Sequence, residues 1–302
     1  MRAVWSFWSK PFYTYYNRIW SKPLHHLLAW GLSLDSASRH YPDTMLVTDR
    51  MGKKLLVDQL GLQFVHVSTE LEMLQDVDPG WWAVGKLVAC SLQDRPFVHL
   101  DNDVFLWKAL PRDVAESPVL AQCPYSFSQN DPYFRPQEIE LAFAQEALEL
   151  PPEWMWARTN RDNFPAANGG VLGGSSVEFL RYYARSAVEL ILKPQNGPAW
   201  SRLAEKQWPY VLIEEFFLVA CVEYHRSRAA SPYWGVRLSH VFPSWEHAYD
   251  PSRAARVGFT HLMGGAKSHP AVGMRIEQRA RRQVPDFYRR CEQVLTKNAF
   301  PF

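Results

Sequence analysis

The chain has few cysteines, and none of them forms a recognisable metal or redox motif. Four occur among 302 residues, and no two stand in a Cys-x-x-Cys pair. This scarcity excludes zinc ribbons and thioredoxin-like sites, because both need closely spaced cysteines. Scattered cysteines are typical of buried thiols in a reducing cytoplasm. The four are Cys90, Cys123, Cys221 and Cys291.

Excess charge of one sign and long apolar runs are also absent. Lys and Arg number 33 against 31 Asp and Glu, for a formal net charge of +2. This balance argues against nucleic acid as a partner, since nucleic-acid binding needs a basic surface. No stretch approaches the roughly 18 apolar residues of a membrane-spanning helix. The first residues also lack the apolar core of a signal peptide. We therefore expect a cytoplasmic protein without a transmembrane segment.

Aromatic residues, in contrast, are abundant. They make up 14% of the chain and include 13 Trp, within a total apolar content of 47%. This composition is sufficient for a full hydrophobic core, and we expect a single domain over residues 1–302. The many rings predict either thick packing or clefts lined by aromatic side chains.

Short apolar segments alternate with helical periodicity over the first hundred residues. The pattern predicts an α/β fold with a mostly parallel sheet flanked by helices, because parallel strands need helical crossovers. Ligands of such sheets bind beyond the carboxyl ends of the strands. The predicted strands are 3–8, 45–48, 64–67 and 97–100, and the predicted helices are 24–40, 52–60 and one that follows residue 80 and ends near residue 90.

The second half of the chain is an elaboration with fewer clear patterns. Residues 111–165 are rich in proline, and we predict an irregular segment with one acidic helix over 137–150. The basic stretch at the end predicts a solvated helix face, and contact with an anionic inner membrane surface is its second interpretation. The other predicted elements are helices 177–192 and 210–224, a strand at 236–242, and helix 275–297 with a break at Pro285.

Two carboxylates follow the predicted strand 97–100. Asp101 and Asp103 are separated by Asn102, at the carboxyl edge of the sheet. Two hard oxygen donors at this spacing can hold one Mg²⁺ or Mn²⁺ ion and leave positions for substrate phosphates. Short acidic pairs also cap loops and helices, so the strand context is what favours a metal site.

Two enzyme classes share this local pattern. Haloacid-dehalogenase-type phosphatases end a strand in Asp-x-Asp and would use Asp101 as the nucleophile. They need a later acidic motif for Mg²⁺, and no clear one follows here. Nucleotide-sugar transferases of the GT-A fold place the Asp-x-Asp after a comparable stretch of strands and helices. A protein that binds a sugar nucleotide or glycan without catalysis is a third alternative.

A second motif, near the end of the chain, favours the transferase. Residues 261–267 contain His261, Gly264 and Lys267 at His-x-x-Gly-x-x-Lys spacing. With the Asp-x-Asp before it, this resembles glycosyltransferase family 8, the glycogenin-like enzymes. In that family the lysine of the motif is often followed by Pro-Trp, whereas here Lys267 is followed by Ser-His-Pro.

The resemblance implies a GT-A-like fold and a retaining glycosyltransferase. It implies that Asp101, Asp103 and His261 hold Mn²⁺ or Mg²⁺, and that Gly264 and Lys267 meet the diphosphate of a donor such as a UDP-sugar. Asn102, between the two acids, also belongs to the predicted donor-binding residues. Imidazole accompanies carboxylates around Mn²⁺, and lysine supplies a positive charge for phosphate. The acceptor would be a hydroxyl of a glycan, a lipid-linked glycan or another molecule. Residues 1–110 would then be a nucleotide-binding half, and 111–302 an acceptor- and sugar-binding half.

The same resemblance suggests further site residues in the second half. Asn168, Gly169 and Gly170 resemble a segment that lines the sugar pocket, and a glycine-rich turn is the alternative. Glu214 and Glu215 interrupt an apolar helix, so at least one should face a polar cleft, because burying an unpartnered carboxylate is costly. One of the two would orient sugar or acceptor, whereas a salt-bridged turn is the alternative.

Three positions in the first fifty residues and one basic residue complete the predicted donor site. Trp5 and Ser6 lie at the edge of the first predicted strand, and Asp49 ends the second, where relatives hold base and ribose. Lys86, on the helix before the Asp-x-Asp strand, would meet the nucleotide. Core packing, a turn cap and a solvated lysine are the respective alternatives.

Overall fold

A computed structural model describes residues 1–14, 19–159, 161 and 163–296. These residues form two compact units. The first comprises Met1–Pro79, His99–Leu110 and Pro251–Phe302, and the second comprises Gly80–Val98 and Pro111–Asp250.

The strands are short, and several contain only three residues. They are β1 (Arg2–Phe7), β2 (Thr44–Thr48), β3 (His66–Ser68), β4 (Phe97–Leu100), β5 (Val104–Leu106), β6 (Val119–Ala121), β7 (Pro124–Ser128), β8 (Asn163–Ala167), β9 (Val171–Gly174), β10 (Leu238–His240) and β11 (Phe259–His261).

The helices range from single turns to 16 residues. They are α1 (Ser9–Thr14), α2 (Pro23–Ser38), α3 (Arg50–Lys53), α4 (Val84–Ser91), α5 (Arg112–Ala115), α6 (Pro136–Gln145), α7 (Pro152–Arg158), α8 (Val177–Leu192), α9 (Gly197–Ser201), α10 (Gln207–Val211), α11 (Phe217–Arg226), α12 (Trp245–Tyr249), α13 (Pro251–Val257), α14 (Pro270–Gln283) and α15 (Pro285–Thr296). Lys54–Gln59 and Leu212–Phe216 are π-helical, and Glu70–Leu74, Pro79–Trp81, Pro194–Asn196 and Gly264–Ser268 are 3₁₀-helical.

The first unit is organised around a parallel sheet. Strand β1 pairs with β2, and β2 with β3, both in parallel. The side chains of β1 are almost entirely buried, as expected for a strand covered on both faces. Helix α2 begins at Pro23, a residue suited to the first helical turn, and twelve of its sixteen residues are buried. The unit is therefore a compact α/β layer structure.

The second unit combines parallel and antiparallel pairing. Strand β10 is parallel to β6, whereas β6 and β9 are antiparallel. A separate ladder joins β7 to β8. Helix α8 buries one face at helical spacing, which includes Phe179, Tyr183 and Ala187. The predicted α/β fold with a mostly parallel sheet and flanking helices is confirmed.

The observed ends of helices and strands can be compared with those predicted from the sequence. The predicted strand 97–100 and helix 177–192 match β4 and α8. Pro285 separates α14 from α15, as predicted, because the residue before proline is disfavoured in a helix. The acidic helix predicted over 137–150 corresponds to α6. The prediction that the rest of 111–165 is irregular was wrong, because it contains β6 and β7 and the start of β8. Strand β6 has only three residues, too few to show alternation.

No helix in the described part of the chain is both long enough and apolar enough to cross a membrane.

Close contact between β9 and β4 yields a stability prediction. A Cβ atom on Gly173 would lie 2.1 Å from the carbonyl oxygen of Phe97. Backbone on both sides must then shift, so Gly173→Ala should lower the free energy of unfolding by about 2 kcal/mol, the usual cost of overpacking. Urea denaturation measures the change. Gly197→Ala is the control, because a Cβ at Gly197 meets nothing within 4 Å. Equal stability of both variants would contradict the assignment of β9 beside β4.

Candidate functional site

The Asp-x-Asp motif and His261 are brought together by a short antiparallel ladder. Strand β4 ends at Leu100, and the next residues turn into β5, with the Val104 amide donating to the Asp101 carbonyl. Strand β11 pairs with β5 so that His261 lies opposite Val104. The Leu262 amide also donates to the Asp103 carbonyl, at 3.2 Å. Residues almost 160 positions apart therefore meet through backbone hydrogen bonds.

The three predicted metal ligands form a cluster. One ligand atom each from Asp101, Asp103 and His261 can be chosen such that all three lie within 4.8 Å of one another. Nε2 of His261 is 3.4 Å from Oδ1 of Asp103, whose side chain is only 1% exposed. Two carboxylates and one imidazole are a donor set that suits Mn²⁺ and Mg²⁺. The residues thus fit a divalent cation.

Lys267 adds a positive charge to this cluster. Its Nζ lies 2.6 Å from Oδ2 of Asp103. Burial alone would raise the pKa of the Asp103 carboxyl. Lys267 and His261, through charge and hydrogen bonds, outweigh burial and hold that pKa well below its usual range. Asp103 is therefore an anion, as a metal ligand must be.

The turn that carries Lys267 leaves open space beside it. Gly264 has φ of +53°, a left-handed conformation that favours glycine, and a Cβ at Gly264 would meet nothing within 4 Å. Gly264 begins the 3₁₀ turn Gly264–Ser268. An anionic group could approach this backbone closely.

A hydrogen-bonded chain that the sequence analysis missed supports this turn. The Ser21 amide donates to the Lys267 carbonyl at 3.1 Å. Ser21 Oγ is 2.7 Å from Nδ1 of His25, and Nε2 of His25 is 2.8 Å from Oε1 of Glu277. His25 is buried, so two polar partners satisfy its ring. No motif spacing signals this chain, because Glu277 lies 252 residues beyond His25.

The early residues predicted to hold base and ribose have structural partners. Trp5 is fully buried and donates from Nε1 to Oγ of Ser33. Asp49 caps α3 by accepting from the Gly52 amide, and it also accepts from the amide and hydroxyl of Ser9.

Ser6 is linked to the Asp-x-Asp motif within the first unit. Its Oγ lies 2.9 Å from Nε2 of His99, and Nδ1 of His99 is 3.9 Å from Oδ1 of Asp101. Asn102, between the two acids, is half-buried. Ser6 thus lies near the predicted metal ligand Asp101, with the ring of His99 between them.

In the second unit, Lys86 and Glu214 form a buried ion pair. Nζ of Lys86 lies 2.6 Å from Oε1 of Glu214, and the side chains are 5% and 4% exposed. Lys86 also donates to the carbonyl of Gly169 at 2.9 Å. The Tyr210 hydroxyl donates to the other carboxylate oxygen of Glu214. The pair therefore fixes the glycine-rich turn that was predicted to line a sugar pocket.

Glu215 has a different environment from its neighbour. Its Oε1 accepts from the Gly169 amide at 2.8 Å and from Nδ2 of Asn168 at 3.2 Å. The Tyr125 hydroxyl donates to Oε2 at 2.5 Å. Burial, together with the charge of Glu214, raises the pKa of Glu215 to about 8.

The Asn168 side chain makes hydrogen bonds with both Gly170 and Glu215. Its Oδ1 accepts from the Gly170 amide at 3.1 Å, while its Nδ2 donates to Glu215. The structure thus brings together Asn168, Gly169, Lys86 and both glutamates, all predicted from sequence. Tyr125 was missed because it lies in the segment predicted to be irregular.

Comparison with known proteins yields one family. A model of the family of unknown function DUF6734 matches residues 1–294. No curated protein sequence matches the chain.

Several solved structures are similar at low identity. The galactosyltransferase LgtC, in complex with donor and acceptor sugar analogs, is 12% identical, with a TM-score of 0.42 over 94% of this chain and 100% of LgtC. The glycosyltransferase GlyE of Streptococcus pneumoniae TIGR4 is 10% identical, with a TM-score of 0.41 over 98% of this chain and 63% of GlyE. Mouse xyloside xylosyltransferase 1 is 11% identical, with a TM-score of 0.34 over 86% of this chain and 96% of that chain.

Loss of the buried ion pair between Lys86 and Glu214 should strongly destabilise the protein. Lys86→Met leaves Glu214 buried without its cation, so the free energy of unfolding should fall by about 3–5 kcal/mol. Chemical denaturation at neutral pH measures it. Arg112→Met is the matched control, because Arg112 pairs with Glu116 at a site where both side chains are mostly exposed. A loss no larger than that of the control would contradict a buried charged pair.

The raised pKa of Glu215 predicts a pH dependence of stability. Between its ordinary value of 4.5 and about 8, the native state binds more protons at this site than the unfolded state. The stability that Glu215 contributes is therefore complete below pH 4.5 and is lost as pH rises through 8. Denaturation from pH 4 to 9 should show wild type declining relative to Glu215→Gln. Glu149→Gln, at an exposed position, should parallel wild type, and a Glu215→Gln curve parallel to both would refute the shift.

Proposed function

We propose that this chain, which belongs to the family of unknown function DUF6734, is a metal-dependent glycosyltransferase. It would move a sugar from a nucleoside-diphosphate sugar, in our proposal a UDP-sugar, to a hydroxyl of a glycan, a lipid-linked glycan or another acceptor. The observation that carries the proposal is the cluster of Asp101, Asp103 and His261, with Lys267 bonded to Asp103. The Asp-x-Asp and His-x-x-Gly-x-x-Lys motifs predicted this combination.

The cluster supplies the residues that a donor site needs. Asp101, Asp103 and His261 would hold Mn²⁺ or Mg²⁺, which when bound neutralises diphosphate and makes it a better leaving group. Lys267 would donate to the diphosphate oxygens, since its charge already lies at the cluster. The open backbone at Gly264 would admit the phosphate, and Asn102 would contact it beside the two acids.

The residues of the second unit would bind hydroxyl groups. Glu215 and Asn168 present a carboxyl and an amide joined to each other, a combination that can accept from and donate to sugar hydroxyls. Glu214 is engaged by Lys86 and Tyr210, so we assign it to positioning of the turn at Gly169 and Gly170. Retention of anomeric configuration belongs to the proposal through the family 8 resemblance.

Other parts of the proposal rest on the sequence. We expect the base and ribose of the donor to contact Trp5, Ser6 and Asp49. We also expect the protein in the cytoplasm or at the inner membrane surface. The phosphohydrolase alternative needs Asp101 as nucleophile but has no need of His261 or Lys267. Both of these bond Asp103 here, which favours the transferase.

Calorimetric titration with UDP tests the donor site. Wild type should bind UDP in the presence of Mn²⁺ and lose most of that binding when a chelator is added. His261→Ala and Asp103→Asn should each weaken the metal-dependent binding at least tenfold, because each removes a ligand or its charge. Circular dichroism verifies that the variants fold.

Matched substitutions of exposed residues distinguish a specific loss of the site from general effects of mutation on binding. His66→Ala and Asp58→Asn change an exposed histidine and an exposed aspartate and should leave binding unchanged. UDP binding that is the same with and without metal, or the same in wild type and His261→Ala, would refute the site. Hydrolysis of p-nitrophenyl phosphate that is abolished by Asp101→Asn would favour the phosphohydrolase instead.

A further inference from the structure

Six aromatic side chains of the second unit form a continuous row. Each ring centroid lies 4.8–6.0 Å from the next along the row. This spacing is comparable with the length of one sugar ring. We call the set the aromatic row, and its members in order are Tyr133, Trp208, Phe134, Tyr125, Trp245 and Tyr249.

The aromatic row differs from the aromatic core of the same unit in its exposure. Tyr133 and Tyr249, at its two ends, are 57% and 52% exposed. The four rings between them are half-buried. In contrast, Trp154 and Phe216 of the core are fully buried. A contiguous set of aromatic rings that is half-buried in the middle and exposed at both ends is a candidate binding surface.

A polar-lined cavity adjoins the middle of the aromatic row. It has a volume of about 570 Å³ and includes Tyr125 and Trp245 in its wall, beside Ser126, Ser244 and Glu246. The Ser244 hydroxyl donates to Oε2 of Glu246 at 2.6 Å. Aromatic rings and hydrogen-bonding groups therefore line one space, as in sites for small polar ligands.

This combination matches the chemistry of a saccharide. A pyranose ring has an apolar C–H face that can stack on an aromatic ring and an edge of hydroxyls that needs donors and acceptors. Among the described residues that line the cavity, one is a carboxylate and none is Lys or Arg. A nucleic acid or another polyanion would need cations there.

The cavity is connected to the carboxyl–amide cluster through one side chain. Tyr125 lies in the cavity wall and donates its hydroxyl to Glu215, which in turn accepts from Asn168. A saccharide against Tyr125 would thus lie next to groups that can bind a hydroxyl.

We propose that the aromatic row and this cavity bind an oligosaccharide of several sugar units, with Trp245 as the principal stacking surface. That the oligosaccharide is the acceptor rests on the proposed function, whereas the binding itself does not. Longer saccharides should bind more tightly, because more rings of the row are then covered.

A glycan array followed by saturation-transfer NMR tests the proposal. Wild type should bind at least one oligosaccharide class, and its affinity should rise from disaccharide to tetrasaccharide. Trp245→Ala should weaken tetrasaccharide binding at least tenfold, and Tyr249→Ala, at an exposed end of the row, should weaken it without loss of fold. Trp234→Ala is the matched control, because Trp234 is 58% exposed and outside the row.

The outcomes separate this proposal from the glycosyltransferase proposal. Trp245→Ala should bind UDP with Mn²⁺ as wild type does, so its defect would be confined to saccharide. Saccharide binding through Trp245 in a protein that does not bind UDP would support the saccharide site and refute the transferase. Absence of glycan binding, equal loss in Trp234→Ala, or Trp245-dependent capture of peptides in place of glycans on a parallel array would overturn the saccharide site.

Discussion

The buried negative charge of Asp103 is the constraint on which the candidate donor site depends. A carboxylate that is 1% exposed is stable only with partners, and His261 and Lys267 supply them from one short segment. That segment must therefore be held against the Asp-x-Asp turn. The β5–β11 ladder fixes the histidine, and the Ser21–His25–Glu277 chain fixes the turn with the lysine. Most of the local architecture follows from this single charge.

A second buried charge organises the other unit in the same way. Lys86 joins α4 to Glu214 and to the glycine-rich turn at Gly169, so three segments far apart in sequence share one cation. Removing either partner would leave a charge in a low-dielectric interior. The two units thus each contain a charged group whose partners come from distant parts of the chain and include a residue predicted to bind substrate.

Sequence patterns predicted those parts of the structure in which the secondary structure is determined by residues close together in the chain. The β4 strand is a short, mostly apolar segment, and α8 shows clear helical periodicity. The Asp-x-Asp motif and the resemblance to glycosyltransferase family 8 pointed to Asp101, Asp103, His261 and Lys267, which the fold brings together. The features that the sequence did not predict depend on contacts between residues far apart in the chain. The role of His25 depends on Glu277, which lies 252 residues further along the chain. Strand β6 has only three residues and pairs with β9 and β10, which lie far from it in sequence.

The two adjacent glutamates show how backbone geometry separates roles that sequence alone leaves together. Glu214 and Glu215 lie in the π-helical turn Leu212–Phe216, and successive helical residues point in different directions. One carboxylate therefore meets Lys86 and stays in an ion pair, while the other meets Asn168 and the Tyr125 hydroxyl. The second loses solvation without gaining a directly bonded cation, and its pKa rises toward 8. Glu215 is hydrogen-bonded to the half-buried Tyr125 of the aromatic row, and a group that exchanges a proton near neutral pH is suited to the hydroxyl-binding role proposed for it. π-Helical turns are frequent at functional sites, and here the turn gives two adjacent glutamates different partners.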